Sequence, residues 1–140
     1  MIEMAESNLA DVYTRLDSVP LAFQYAFTSL ARAKQIEDKE GVAWIDGILS
    51  RLYLKKGLAD SALYYSKEGL ETAKQTGTIE FIRDNAGALA NAYAFKKDFA
   101  QAYTFYRLYI NYRDSMLNSE ISNKSAVLQY NYDLAKNKPR

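Results

Sequence analysis

The sequence predicts an all-α fold, an α-solenoid of three helix–turn–helix units followed by a C-terminal helix, and three observations carry that prediction. Residues recur at a fixed spacing of 40: Leu9, Leu49 and Leu89; Tyr13, Tyr53 and Tyr93; Ala22, Ala62 and Ala102. The recurrence extends to Ala33-Lys34-Gln35 and Ala73-Lys74-Gln75, and to Glu40 and Glu80. Within each unit apolar residues fall at helical spacing, and no stretch alternates with a period of two between hairpin turns. A constant period of this length marks a solenoid, in which each unit buries its apolar face only against its neighbours. The units are expected over about 2–38, 39–78 and 79–112, and the last helix over 113–140.

Each unit divides into two helices. In the first, Asp17-Ser18 offers an N-cap for the second helix, and Pro20 sits in its opening turn, where a missing N–H costs nothing. In the second unit, Ala43, Ile45, Ile48, Leu49, Leu52 and Tyr53 form one helical face, which Lys55-Lys56-Gly57 terminates with basic residues and a glycine. A helix resumes near Ala59, with Ala62, Leu63, Tyr65, Ser66, Gly69 and Leu70 on one face, and ends near Thr76-Gly77. The third unit runs through Leu89, Ala90 and Tyr93, turns at Lys97-Asp98, and resumes with Phe99, Ala102, Tyr103 and Tyr106. Beyond about Asn111 the repeat stops and a polar helix follows, with Ile121, Leu128 and Tyr132 or Leu134 on one stripe. That segment reads either as a cap over the last unit or as the start of a self-associating coil leading to a further domain.

Composition narrows the functional classes. With 18 Lys and Arg against 17 Asp and Glu, no global field draws the chain to nucleic acid or an anionic membrane. Histidine and cysteine are both absent, which removes the commonest general base and most transition-metal sites. No apolar run approaches the ~18–20 residues of a membrane span. The opening Met1-Ile2-Glu3-Met4-Ala5-Glu6 lacks the pattern of a signal peptide, so the expectation is a cytoplasmic chain or a piece of something longer.

At its recurring residues the chain resembles the tetratricopeptide repeat family. The family's Leu-small-x-x-Tyr core is matched by Leu9-Ala10-x-x-Tyr13, Leu49-Ser50-x-x-Tyr53 and Leu89-Ala90-x-x-Tyr93, and its second-helix alanine by Ala22, Ala62 and Ala102. Small residues at the crossing let two helices approach to ~8 Å, and the tyrosine fills the space beside them. The pattern departs from the family in three ways. Its leading Trp is replaced by Glu6, Asp46 and Ala86, its closing Pro by Lys34, Lys74 and Asp114, and the unit is longer, which should lengthen the second helix and its exit loop. The resemblance implies a right-handed solenoid that binds a protein or peptide, without cofactor or metal. This longer variant is similar to arrays in bacterial signalling proteins of the Bacteroidetes type, where the array precedes a membrane helix and histidine kinase or a LuxR-type DNA-binding domain. The stretch from Tyr112 to Glu120, followed by Leu128-Gln129 and Tyr132, resembles the join to such outputs. A sensor-kinase segment would be periplasmic, and a free-standing adaptor that scaffolds partners would be cytoplasmic.

No catalytic constellation emerges. Gly69, Gly77 and Gly87 are isolated, serine catalysis would lack its histidine, and Glu37-Asp38-Lys39-Glu40 lacks the alternating ligands of a calcium loop. Of the 12 tyrosines, Tyr65, Tyr103, Tyr106 and Tyr109 fall on second helices and read as packing. Single-strand nucleic-acid binding would also want a basic track, which the balanced charge argues against.

A groove lined by the first helices is the better candidate site. Residues not needed for packing there are Asn8, Asp11 and Arg15, then Trp44, Arg51 and Lys55, then Asn91 and Phe95. Trp44 and Arg51 are residue types that dominate binding energy when accessible; the alternative for Trp44 is burial between the first two units. The dicarboxylate clamp of the chaperone-binding members needs matched Asn and Lys or Arg, and the series Asp11, Arg51, Asn91 does not supply it. Ile2, Met4 and Leu9 have no preceding unit to cover them, which points to further repeats upstream or to a partner.

Overall fold

A computed structural model describes residues 18–137 and Asn8. Five helices fill the continuous part: α1 (Val19–Gln35), α2 (Lys39–Lys55), α3 (Ala59–Thr76), α4 (Ile79–Phe95) and α5 (Phe99–Lys136). No strand occurs among the described residues. The helices themselves keep the period of 40. Helix α4 starts and ends 40 residues after α2, and α1, α3 and α5 start at Val19, Ala59 and Phe99.

The same hydrogen-bonded turn closes each of the first four helices. The N–H of Asp38 donates to Ala33 O (2.8 Å), Leu58 to Tyr53 O (2.9 Å), Thr78 to Ala73 O (3.1 Å) and Asp98 to Tyr93 O (3.0 Å). The residue before each donor has positive φ: Glu37 at 58°, Gly57 at 75°, Gly77 at 69° and Lys97 at 63°. This is the Schellman closure, which favours glycine and here tolerates two other residues. Asp38 and Asp98 then cap the following helices, accepting from the N–H of Gly41 (3.0 Å) and Gln101 (3.3 Å). Ser18 is the N-cap of α1 but makes no side-chain capping bond; Pro20 in the first turn presets the helix instead. The period is taken up by helices of 17 or 18 residues. The connections stay short, so the lengthened exit loop expected after Ala33 is absent.

Each helix packs on the next, and α2 also lies directly against α4. Helices α1 and α3 meet only through long side chains, as in the Lys34–Glu68 ion pair (3.1 Å) and the Phe27–Tyr65 ring contact (6.1 Å). The array therefore bends with α2 and α4 on its inner side. Among the described residues two apolar clusters replace a single core, one joining α1 to α2 and one joining α2, α3 and α4. Ala22, Leu49, Ala62 and Leu89 are fully buried and Ala102 nearly so. Tyr53 stacks on Tyr65 (5.4 Å, 7°), and 40 residues later Tyr93 stacks on Phe105 (5.7 Å, 8°). Leu9 and Tyr13, the first members of these sets, lie outside the described residues, as do Ile2 and Met4.

Helix α5 differs from the separate final helix expected over 113–140. It runs unbroken through that boundary, and from Leu117 to Lys136 every residue is exposed. Its first half packs on α4 through Phe105, Leu108 and Tyr112, but beyond Met116 its apolar residues, diluted among Asn, Ser and Gln, are all exposed and do not cover the last unit. None of the described helices is long and apolar enough to cross a membrane.

Candidate functional site

On the inner side of the array, α2, α4 and α5 enclose an open cleft of about 460 Å³. The first two helices contribute the same three register positions: Trp44, Gly47 and Arg51 from α2, and Asp84, Gly87 and Asn91 from α4, each pair 40 residues apart. These positions are spaced by three and four residues, which aligns them on one helical face. Phe81 from α4 adds a ring stacked on Trp44 (6.4 Å, 12°).

The end wall comes from α5, where Tyr106, Tyr109 and Arg113 enter the cleft. The corresponding positions of the earlier units hold Ala26 and Ser66, Ser29 and Gly69, and Ala33 and Ala73, all of them buried where the next helix crosses. Small residues let that crossing happen. Two tyrosines and an arginine do not; no described helix crosses α5 there, and the large side chains line the cleft. Tyr106 and Tyr109 stack on each other (6.1 Å, 26°), and the Arg113 guanidinium lies over the Tyr109 ring (5.9 Å). Tyr109 reaches across to Gly87, where a Cβ would approach its ring to 3.2 Å. A side chain there would push the tyrosine outward, so Gly87 is a condition of the wall.

Trp44 has two sets of neighbours. It is half-buried, packs against the α1–α2 cluster and also lines the cleft. Arg51 and Asn91 line the cleft with it. Lys55 and Phe95 do not: both fall at helix ends, and Phe95 borders a separate shallow cleft with Gly57 and Lys96. Asn8 is helical and exposed and is not part of the cleft lining, while Asp11 and Arg15 lie outside the described residues. Tyr106 and Tyr109, read from the sequence as packing residues, are cleft residues instead. Their signal was available in the register, as the replacement of Ser66 and Gly69 by tyrosine at the same places in the next unit.

The cleft's charges are moderated by sequence neighbours: Asp84 pairs with Arg83 (2.9 Å) and Arg113 with Asp114 (3.1 Å). Together Arg51 and Arg113 against Asp84 leave a modest positive balance above four aromatic rings. Among the described residues no three His, Cys, Asp or Glu side chains gather to hold a metal ion. On α5, Ile121, Leu128 and Tyr132 share one exposed stripe with Lys124 and Gln129. Comparison with family models, curated proteins and solved structures returned no match.

Proposed function

We propose that this chain is a non-enzymatic interaction module of the tetratricopeptide type, right-handed in its winding, that takes a peptide or protein segment into the α2–α4–α5 cleft. The observation that carries this reading is the cleft's composition. Two stacked aromatic pairs give a large, rigid apolar surface with little rotamer freedom to lose, and Arg51 and Arg113 offer cationic, planar donors beside it. The best complement is an extended segment carrying an aromatic or long apolar side chain next to an acidic one. In the wider reading the chain is the sensory array of a larger bacterial signalling protein; the alternative is a stand-alone adaptor using the same cleft.

A display library of random peptides, selected on the wild-type chain, tests the cleft. Enriched sequences should pair an aromatic or apolar residue with an acid, and Trp44→Ala should weaken their binding by about 2 kcal/mol, roughly thirtyfold. Enriched peptides that bind the Trp44→Ala protein equally well would place the interaction elsewhere.

The exposed stripe of α5 favours a companion role in self-association. Ile121 and Leu128 stand exposed, seven residues apart, as in a coiled-coil seam. A second copy laid along the stripe would bury both. Leu128→Asp should then convert a dimer to a monomer by light scattering while the helical circular dichroism of α1–α4 persists. A wild-type chain already monomeric at high concentration would sink this companion role and leave the cleft reading untouched.

A further inference from the structure

Asp46 is the least expected side chain in the interior. It lies on α2, is 0% exposed, and neither of its carboxyl oxygens has a hydrogen-bond partner. Its counterpart 40 residues later is Ala86, also fully buried, so the packing of the array does not require a carboxyl at this place. The side chain it meets is Glu68 of α3. One Glu68 oxygen is held by Lys34 Nζ of α1 at 3.1 Å, and the other is buried without a partner. Two carboxyls thus meet in a seam of three helices with three unsatisfied oxygens and no donor between them. Ionising both would leave like charges facing each other out of water, whereas a single proton supplies the missing donor.

We infer that the folded protein holds one proton between Asp46 and Glu68, and that this proton is a latch on the α1–α2–α3 seam that alkaline conditions release. The electrostatics agree with the geometry. Burial first, and then the charge of Glu68, push the Asp46 carboxyl up from 3.8 to about 8, with Lys34 opposing. Burial draws Lys34 down, but its bond to Glu68 and the charges of Glu68, Asp46 and Tyr64 together outweigh that, so the ammonium persists. Tyr65 of α3 also senses the Asp46 charge, and α4 presents the neutral Asn85 toward Gly47 and Gly69, the neighbours of the pair. Glu68 keeps 30% of its side chain exposed and borders an open cleft with Thr72 and Gln75, which gives the proton a route to solvent.

The sign follows from linkage. Between pH 3.8 and about 8 the folded chain binds a proton that the unfolded chain does not, so this contribution to stability declines as pH rises across that window. Above it both states are ionised at Asp46 and the contribution is gone. Helix α2 carries Asp46 on one face and Trp44, Gly47 and Arg51 on another, so the latch acts on an element that also lines the cleft.

Thermal melts of wild type, Asp46→Asn, Asp46→Ala and Glu68→Gln between about pH 5 and about pH 9 test the latch. The wild-type melting temperature should fall relative to both Asp46 variants as pH rises toward 8, and those two should run parallel. Glu68→Gln keeps the burial of Asp46 but removes the facing charge, so it should fall less steeply than wild type. Infrared spectra of the folded wild type near neutral pH should show the carbonyl band of a protonated carboxyl, absent from both Asp46 variants. Asp46→Ala reproduces the packing at Ala86 and carries the comparison if the asparagine variant does not fold. A wild type without that band, or one whose melts parallel the Asp46 variants across the range, overturns the inference.

Discussion

Replacing Leu89 by alanine should lower the unfolding free energy by about 2–5 kcal/mol, a large share of the ~5–15 kcal/mol that holds a domain of this kind together. Leu89 is 0% exposed and belongs to the cluster with Leu63, Leu70 and Ile82 that joins α3 to α4. Alanine removes the transfer energy of the isobutyl group and leaves a void that the surrounding helices, anchored by their own turns, fill only in part. The location of the damage is as informative as its size. Because the apolar clusters are separate, amide exchange should accelerate most in α4 and the first turns of α5, and least in α1. The equivalent Leu49→Ala, 40 residues earlier, should shift the loss toward α1 and α2. Equal acceleration in all helices for both variants would show one cooperative core in place of two coupled ones.

Gly69→Ala should destabilise the protein by about 2–4 kcal/mol, although helix propensity alone favours alanine by about 1 kcal/mol. Gly69 lies mid-helix on α3, where Asn85 of α4 packs against it. A Cβ there would come within 2.7 Å of Asn85 Cγ and 2.9 Å of Nδ2. Asn85 cannot swing aside cheaply. It is 0% exposed, and its Nδ2 donates to Ala43 O (3.0 Å) and Phe81 O (2.9 Å), tying α4 to α2. Moving it strands an amide in a buried seam and forces α3 away from α4. In an Asn85→Ala background the obstacle is gone, so Gly69→Ala should become neutral or stabilising. The double-mutant cycle should therefore show coupling above about 1 kcal/mol, measured by urea denaturation. Gly69→Ala that stabilises the wild-type chain would mean the seam has slack.

The recurrence of Leu49 with Leu89, Ala62 with Ala102, and Tyr53 with Tyr93 was enough to find four helices and their turns, because each feature is local. An αL residue 40 positions after another, or a leucine at helical spacing, needs no knowledge of what lies across the seam. Trp44, Arg51 and Asn91 were legible as groove residues for the same reason: they share one face of helices whose other face is committed to packing. Lys55 and Phe95 share that register only nominally, since they sit where the helices end. Tyr106 and Tyr109 were hidden among 12 tyrosines, most of which do not enter the cleft. Telling wall from core required knowing that, among the described residues, no helix crosses α5 as α4 crosses α3.

By itself, then, the sequence determined the periodic part of this protein: helix type, helix ends, turn conformation and the residues that pack each unit. Those are set by spacing and backbone preference, which act within a few residues and repeat with the repeat. Only the tertiary structure decided the exceptions: that Asp46 meets Glu68, that Asn85 wedges against Gly69, and that Tyr109 closes a cleft over Gly87. Each joins residues on different helices at places where the repeat changes its residue type. Their energies come from burial and close approach, which exist only once the helices have met.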